Sequence, residues 1–152
     1  MIVTIEGIDR TGKDTLHRYI ERLSNFRYVI NTRGIMTQLA YNKKFKRDYT
    51  YHLKDYENDV IVYLYAEPED LEVRFKMTNE PKLNDGKTLR EGIEDDLKLF
   101  QDISHELADR GFIILKYNTT EDTPYTIARH VISELEYLEK EGIIKVWAKN
   151  LM

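Results

Sequence analysis

Two periods alternate along this chain. The run "IVTIE" (Ile2–Glu6) is short and mostly apolar and meets Gly7, which predicts a buried strand entering a tight turn. From Lys13 onward the period lengthens: Leu16, Tyr19, Ile20 and Leu23 fall on one helical face, and Asn25 supplies a stop. "FRYVINTRG" (26–34) predicts a second strand ending at Gly34, and "DVIVYLYAEP" (59–68) a central buried strand closed by Pro68. "EDLEVRFKM" then predicts a short helix, and "TNEPKLNDGK" (78–87) a polar loop. Leu89, Ile93, Leu97, Phe100, Ile103 and Leu107 form one stripe of a long helix that stops near Gly111. "FIILKYN" (112–118) predicts another strand. Pro124 opens a last helix that carries Ile127, Val131, Leu135 and Leu138 inward. "GIIKVWAKNLM" (142–152) reads as a tail, either a short strand or a docked segment. Residues 35–58 are the least patterned and predict a helix, then a loop with a short strand around 49–53.

Strands alternating with helices predict an α/β fold with a parallel sheet of four to five strands flanked by helices, in one domain over 1–152. Hydrophobic residues at 41% and charged residues at 33% exclude a disordered chain. The absence of cysteine removes disulfides, thiol catalysis and thiolate metal sites. The net charge of −4 gives no general ground for nucleic-acid binding. No apolar run is long enough to span a bilayer and no leader-like pattern opens the chain, so a cytoplasmic protein without a membrane partner is expected.

Candidate chemistry is concentrated in "GIDRTGKDT". Gly-x4-Gly-Lys, from Gly7 to Lys13, lies between a predicted strand and a predicted amphipathic helix, the setting a phosphate-binding loop requires. Backbone amides around Gly7, Thr11 and Gly12 can curl about phosphate oxygens, the helix N-terminus adds its dipole, and Lys13 adds a point charge. Asp14 stands where such loops carry a magnesium-binding hydroxyl, and Thr15 follows one place late. A carboxylate beside a triphosphate is repelled by about 1 kcal/mol even in water. Asp14 therefore either faces a Mg2+ ion or points away and stabilises the first helical turn.

These residues resemble the opening of thymidylate kinases, whose loops read Glu-Gly-x-Asp-x-x-Gly-Lys, and the Gly-Lys-Asp variant resembles phage deoxynucleoside monophosphate kinases and phosphomevalonate kinases. The resemblance implies a P-loop NTPase fold with ATP as phosphoryl donor, Mg2+ as cofactor held through Thr15 or Asp14, and a nucleoside monophosphate as acceptor. "VINTRG" is similar to the family's second strand, which puts Arg33 on an arginine that contacts the acceptor phosphate, and Asp9 on a residue that bonds the acceptor sugar. "DVIVYLYAEPEDLEVRFK" looks like the strand and helix before the lid, with Arg74 leading into it; "ILKYNTTEDT" resembles the last strand and adenine loop, with Asn118 and Thr119. The family divides into members with a catalytic arginine in the phosphate loop and members with one in the lid. Arg10 inside the loop, with Lys82 and Lys87 but no arginine in the candidate lid 78–87, matches the first type.

The resemblance thins between Gly34 and Asp59, where the family has several helices and an Asp-Arg pair. Here Arg47 and Asp48 stand in the opposite order. That segment carries Lys43, Lys44, Lys46, Arg47 and Lys54 among Tyr41, Tyr49, Tyr51 and Tyr56, a pattern that suits a solvated surface, a nucleotide clamp or single-stranded nucleic acid. The four histidines are too scattered for a metal site. The expectation is phosphoryl transfer from ATP to dTMP or another deoxynucleoside monophosphate, with Arg10, Lys13 and Arg74 catalytic, in the host cytoplasm if the chain is phage-encoded; a homodimer is left open. The competing readings are a catalytically silent nucleotide- or protein-binding relative and a polynucleotide-end kinase.

Overall fold

The apolar run after Asp59 becomes the centre of a four-stranded sheet. The structure is a computed structural model that describes residues 1–78 and 86–146. Strands β1 (Ile2–Glu6), β2 (Val29–Thr32), β3 (Val60–Tyr65) and β4 (Ile113–Asn118) pair in the order β2-β1-β3-β4. All three pairings are parallel. The α-helices are α1 (Lys13–Leu23), α2 (Ile35–Lys44), α3 (Pro68–Met77), α4 (Leu89–Asp109) and α5 (Pro124–Lys140). Among the described residues no helix is long and apolar enough to cross a membrane.

Strand alternation divides the core into two layers. Val60, Val62 and Leu64 of β3 pack with Val3 and Ile5 of β1 against Leu16 and Ile20 of α1 and Ile127, Val131 and Leu135 of α5. Ile61 and Tyr63 point the other way, onto Met36 of α2, Leu71 and Phe75 of α3, and Ile93, Phe100 and Ile103 of α4. The chain moves to one side of β1 to form β2 and to the other side to form β3 and β4. The connections place α1 and the α3–α4 pair on opposite faces, as crossovers of one hand require. The place where the strand order reverses, outside the carboxyl ends of β1 and β3, is where ligands bind in open α/β sheets.

Local chemistry sets the helix starts. Thr88 accepts from the Glu91 amide at 3.1 Å and donates to its carboxylate at 3.0 Å, a reciprocal cap on α4. Thr123 accepts from Thr126 at 3.2 Å, and Pro124 opens α5. Helix α1 stops at Leu23, and Asn25 and Phe26 turn the chain through left-handed backbone (φ 54° and 58°).

Several expectations are corrected. Tyr19 and Leu23 are exposed rather than core: α1 needs only Leu16 and Ile20 to cover the sheet, and Tyr19 lies edge-on to Tyr125 of α5. The second strand stops at Thr32, two residues before Gly34, because Arg33 turns left-handed (φ 63°). The segment expected as a strand at 49–53 ends instead in a 3-10 turn, Leu53–Tyr56. Tyr51 and Leu53 gain burial against the α2–α4 layer. In the tail, Gly142 to Val146 form no strand; Ile144 is buried and docks on the α1–α5 layer, while 147–152 lie outside the described residues. Most of the candidate lid, 79–85 with Lys82, also lies outside them.

Candidate phosphate-binding site

The loop between β1 and α1 closes on itself. Gly7 has φ +149°, and a Cβ there would lie 2.4 Å from the carbonyl oxygen of Leu64, so only glycine lets the loop leave β1 this close to β3. Thr11 is fully buried and donates from Oγ1 to the Ile8 carbonyl at 2.8 Å, which ties the loop's middle to its start. Lys13, 5% exposed, folds inward and donates from Nζ to the carbonyls of Gly7 (2.9 Å) and Ile8 (2.7 Å). Burial, followed by the like charge of Arg33, pulls the Lys13 ammonium down to about 8.

An open cavity of about 700 Å³ lies over this loop. Among the described residues Arg10, Lys13, Arg18, Arg33 and Arg74 line it with the carboxylates Asp9 and Asp14, so this part of the wall carries an excess of positive charge. Arg10 (φ 68°) and Arg33 (φ 63°) are both non-glycine residues in left-handed backbone, a conformation that costs energy and clusters at functional sites. The Arg10 guanidinium sits over the Phe75 ring at 5.8 Å, and Arg33 reaches Asp9 at 3.8 Å. Asp14 and Thr15 are exposed on the first turn of α1 and also line the cavity. With Asp9 they are hard oxygen donors among the lining side chains, a donor type that suits Mg2+ when phosphate and water complete the shell. Among the described residues no three His, Asp or Glu side chains gather to hold a metal by themselves.

Arg74 lines the same cavity, but its guanidinium is already engaged. Nη1 donates to the Arg10 carbonyl (2.8 Å) and Thr119 Oγ1 (3.0 Å), and Nη2 to Asp70 (2.6 Å) and the Thr119 carbonyl (3.1 Å). It braces the loop between β1 and α1 against the loop after β4. That second loop is built by Asn118, which is buried, donates to Glu67 at 3.1 Å and accepts from the Thr120 amide at 2.9 Å; Thr119 donates its amide to Tyr65 at 2.8 Å.

Two residues on this frame escaped the sequence reading. Arg18 lies one turn beyond Asp14 on the same face of α1, a spacing that could have revealed it. Glu6 is fully buried at the end of β1, and its signal was a carboxylate closing an apolar strand directly before the loop. The basic-aromatic segment lies elsewhere. Its tyrosines 49 and 51 line a separate cavity of about 160 Å³ with Leu39, Lys43 and the end of α4, which shares no residue with the loop cavity. Lys43 pairs with Glu106 at 3.3 Å and Lys44 with Asp96 at 3.1 Å, so part of the segment's charge is spent within the fold.

No family model matches the chain, and neither does any curated protein. Among solved structures it is similar to the YorR protein of Bacillus subtilis, crystallised in complex with phosphorylated GDP. The two superpose with a TM-score of 0.67 at 18% sequence identity, over 92% of this chain and 98% of that one. At that identity the likeness shows the fold alone, a parallel α/β sheet flanked by helices; in this chain the Gly7–Lys13 loop lies at the switch point of that sheet.

Proposed function

We propose that this chain is a P-loop nucleotide kinase that transfers the γ-phosphoryl group of ATP to a nucleoside monophosphate, dTMP or another deoxynucleoside monophosphate. The observation that carries this reading is the meeting of the Gly7–Lys13 loop with Arg10 and Arg33, both at positive φ, on one cationic cavity. YorR, complexed with a phosphorylated guanine nucleotide, supports a nucleotide as the ligand class.

The loop amides and the α1 N-terminus hold the donor phosphates, and Lys13 turns from the carbonyls of Gly7 and Ile8 to the terminal phosphates. Arg33 holds the acceptor phosphate and Asp9, beside it, the acceptor sugar. An acceptor phosphate oxygen bonds to the γ-phosphorus as the bond to the β-phosphate oxygen breaks, and ADP leaves with the electron pair. Arg10 stabilises the charge on the transferring group. Mg2+, held through Asp14 or Thr15, would offset charge on the phosphates. Arg74 contributes by fixing the loop that presents Arg10, and Asn118 and Thr119 form the floor under the adenine.

Incubating the protein with ATP and a panel of ribo- and deoxynucleoside monophosphates tests this. Stoichiometric ADP and nucleoside diphosphate are expected with at least one acceptor and are lost in Lys13→Ala. No transfer to any acceptor, with ATP and a monophosphate nevertheless bound, would favour the catalytically silent reading.

A further inference from the structure

The amino end of α2 is occupied from within. Gly34 is the cap of that helix and has no side chain to satisfy its first amides, and the first turn carries no acidic residue. Glu6 supplies the missing acceptor from the neighbouring strand. Its Oε1 accepts from the Gly34 amide (2.9 Å) and the Thr37 hydroxyl (2.7 Å), and its Oε2 from the amides of Met36 (2.5 Å) and Thr37 (3.3 Å). Every group reaching the carboxylate is a donor, so its negative charge meets the positive end of the helix dipole. Burial works against that charge and raises the Glu6 pKa, while these four bonds lower it.

The place of this cluster gives it meaning. Glu6 directly precedes Gly7, the first residue of the phosphate loop, and Gly34 directly follows Arg33. Arg33 is held at φ 63° between its own amide, bonded to the Ile5 carbonyl at 3.0 Å, and the next amide, bonded to Glu6. Gly34 sits so close to β1 that a Cβ would meet the Thr4 methyl at 2.5 Å. One buried carboxylate therefore joins the root of the phosphate loop to the strained residue that faces the cavity from the other side. It also fills the helix terminus, where a phosphate would otherwise find amides.

We infer that Glu6 is a positioning residue for the acceptor: by capping α2 it fixes the backbone that aims Arg33 at the monophosphate. This rests on the reading of Arg33 as the acceptor-phosphate contact. Binding of dTMP and other monophosphates, and separately of ATP, is measured by calorimetry on the full chain, with amide hydrogen exchange at Gly34, Met36 and Thr37 followed by NMR. Thr37→Val removes one of the four bonds at nearly constant volume; Glu6→Gln is the stronger variant, because its amide must turn a donor toward donors.

Faster exchange at the three amides is expected in both. Monophosphate affinity should fall about threefold in Thr37→Val and about thirtyfold in Glu6→Gln, with ATP affinity changed less than twofold. The acceptor KM should rise while the ATP KM holds, a split that general loss of stability does not produce. Faster exchange with unchanged monophosphate affinity, or equal losses for both ligands, overturns the inference while leaving the acceptor reading intact. A wild-type protein that binds no monophosphate overturns that reading, and the inference with it.

Discussion

Arg74 holds Arg10 by its backbone: Nη1 of Arg74 donates to the Arg10 carbonyl at 2.8 Å, across 64 positions of sequence. The same guanidinium holds Thr119 through both its hydroxyl and its carbonyl, so one side chain fixes the two loops that flank the cavity. Arg74→Ala is expected to lower stability by about 1.5–3 kcal/mol, the range for bonds to a charged group, as read by urea unfolding. Arg74→Lys, unable to fork between two loops, should recover less than half of it. If Arg74 acts as a brace, both variants weaken ATP binding along with turnover; a loss of turnover alone would make it a direct participant instead.

The state of Lys13 gives a pH signature. Its ammonium is held down to about 8 in the folded chain by burial and then by Arg33, against an ordinary value near 10.5. The unfolded chain therefore binds more protons between about pH 8 and 10.5, and stability contributed by this group rises with pH across that window, by on the order of 3 kcal/mol. Lys13→Met should flatten that rise in a series of urea titrations. Ligand binding has the opposite dependence: ATP affinity should fall above about pH 8, with proton uptake on binding visible as buffer-dependent heat. A wild-type affinity flat from pH 7 to 9.5 would remove Lys13 from phosphate binding.

Gly7 tolerates no side chain. Alanine would place Cβ 2.4 Å from the Leu64 carbonyl oxygen and 2.8 Å from Thr11 Oγ1, at a φ of +149°. Gly7→Ala is expected to cost about 3 kcal/mol or more, because β3 cannot retreat without opening the centre of the sheet. Thermal unfolding measures this.

Arg18 adds a cation to the cavity wall without entering the loop. Its Nε lies 3.4 Å from the Asp14 carbonyl, and a helical side chain leans toward the preceding turn, which here carries Asp14 and Thr15. Arg18→Ala should weaken ATP binding about three- to fivefold at low ionic strength, with the difference shrinking by 0.5 M salt as charges are screened. An effect that salt leaves untouched would point to packing instead.

Sequence alone determined what short-range pattern can encode. The apolar run at β3, the stripe of α4 and the strand–glycine loop–helix unit around Lys13 are local, and each residue's neighbours within a few positions dictate its state. The turn between β1 and α1 was legible for that reason, with Arg10 and Lys13 placed in it. Periodicity names the face a residue lies on but not what covers it. Tyr19 and Leu23 share a helical face with Leu16 yet stay exposed, since the sheet and α5 cover only part of that face. Tyr51 and Leu53 are apolar enough for a strand, but burial against the α2–α4 layer decides their conformation. Glu6 bonding to Gly34, Met36 and Thr37, and Arg74 joining residues 10 and 119, are decided only when the sheet order brings distant segments together. A buried carboxylate and a half-buried fork of donors carry no mark in sequence that names their partners. Apart from Asp70, one turn before Arg74, those partners lie dozens of positions away and are brought together only by the packing of the layers.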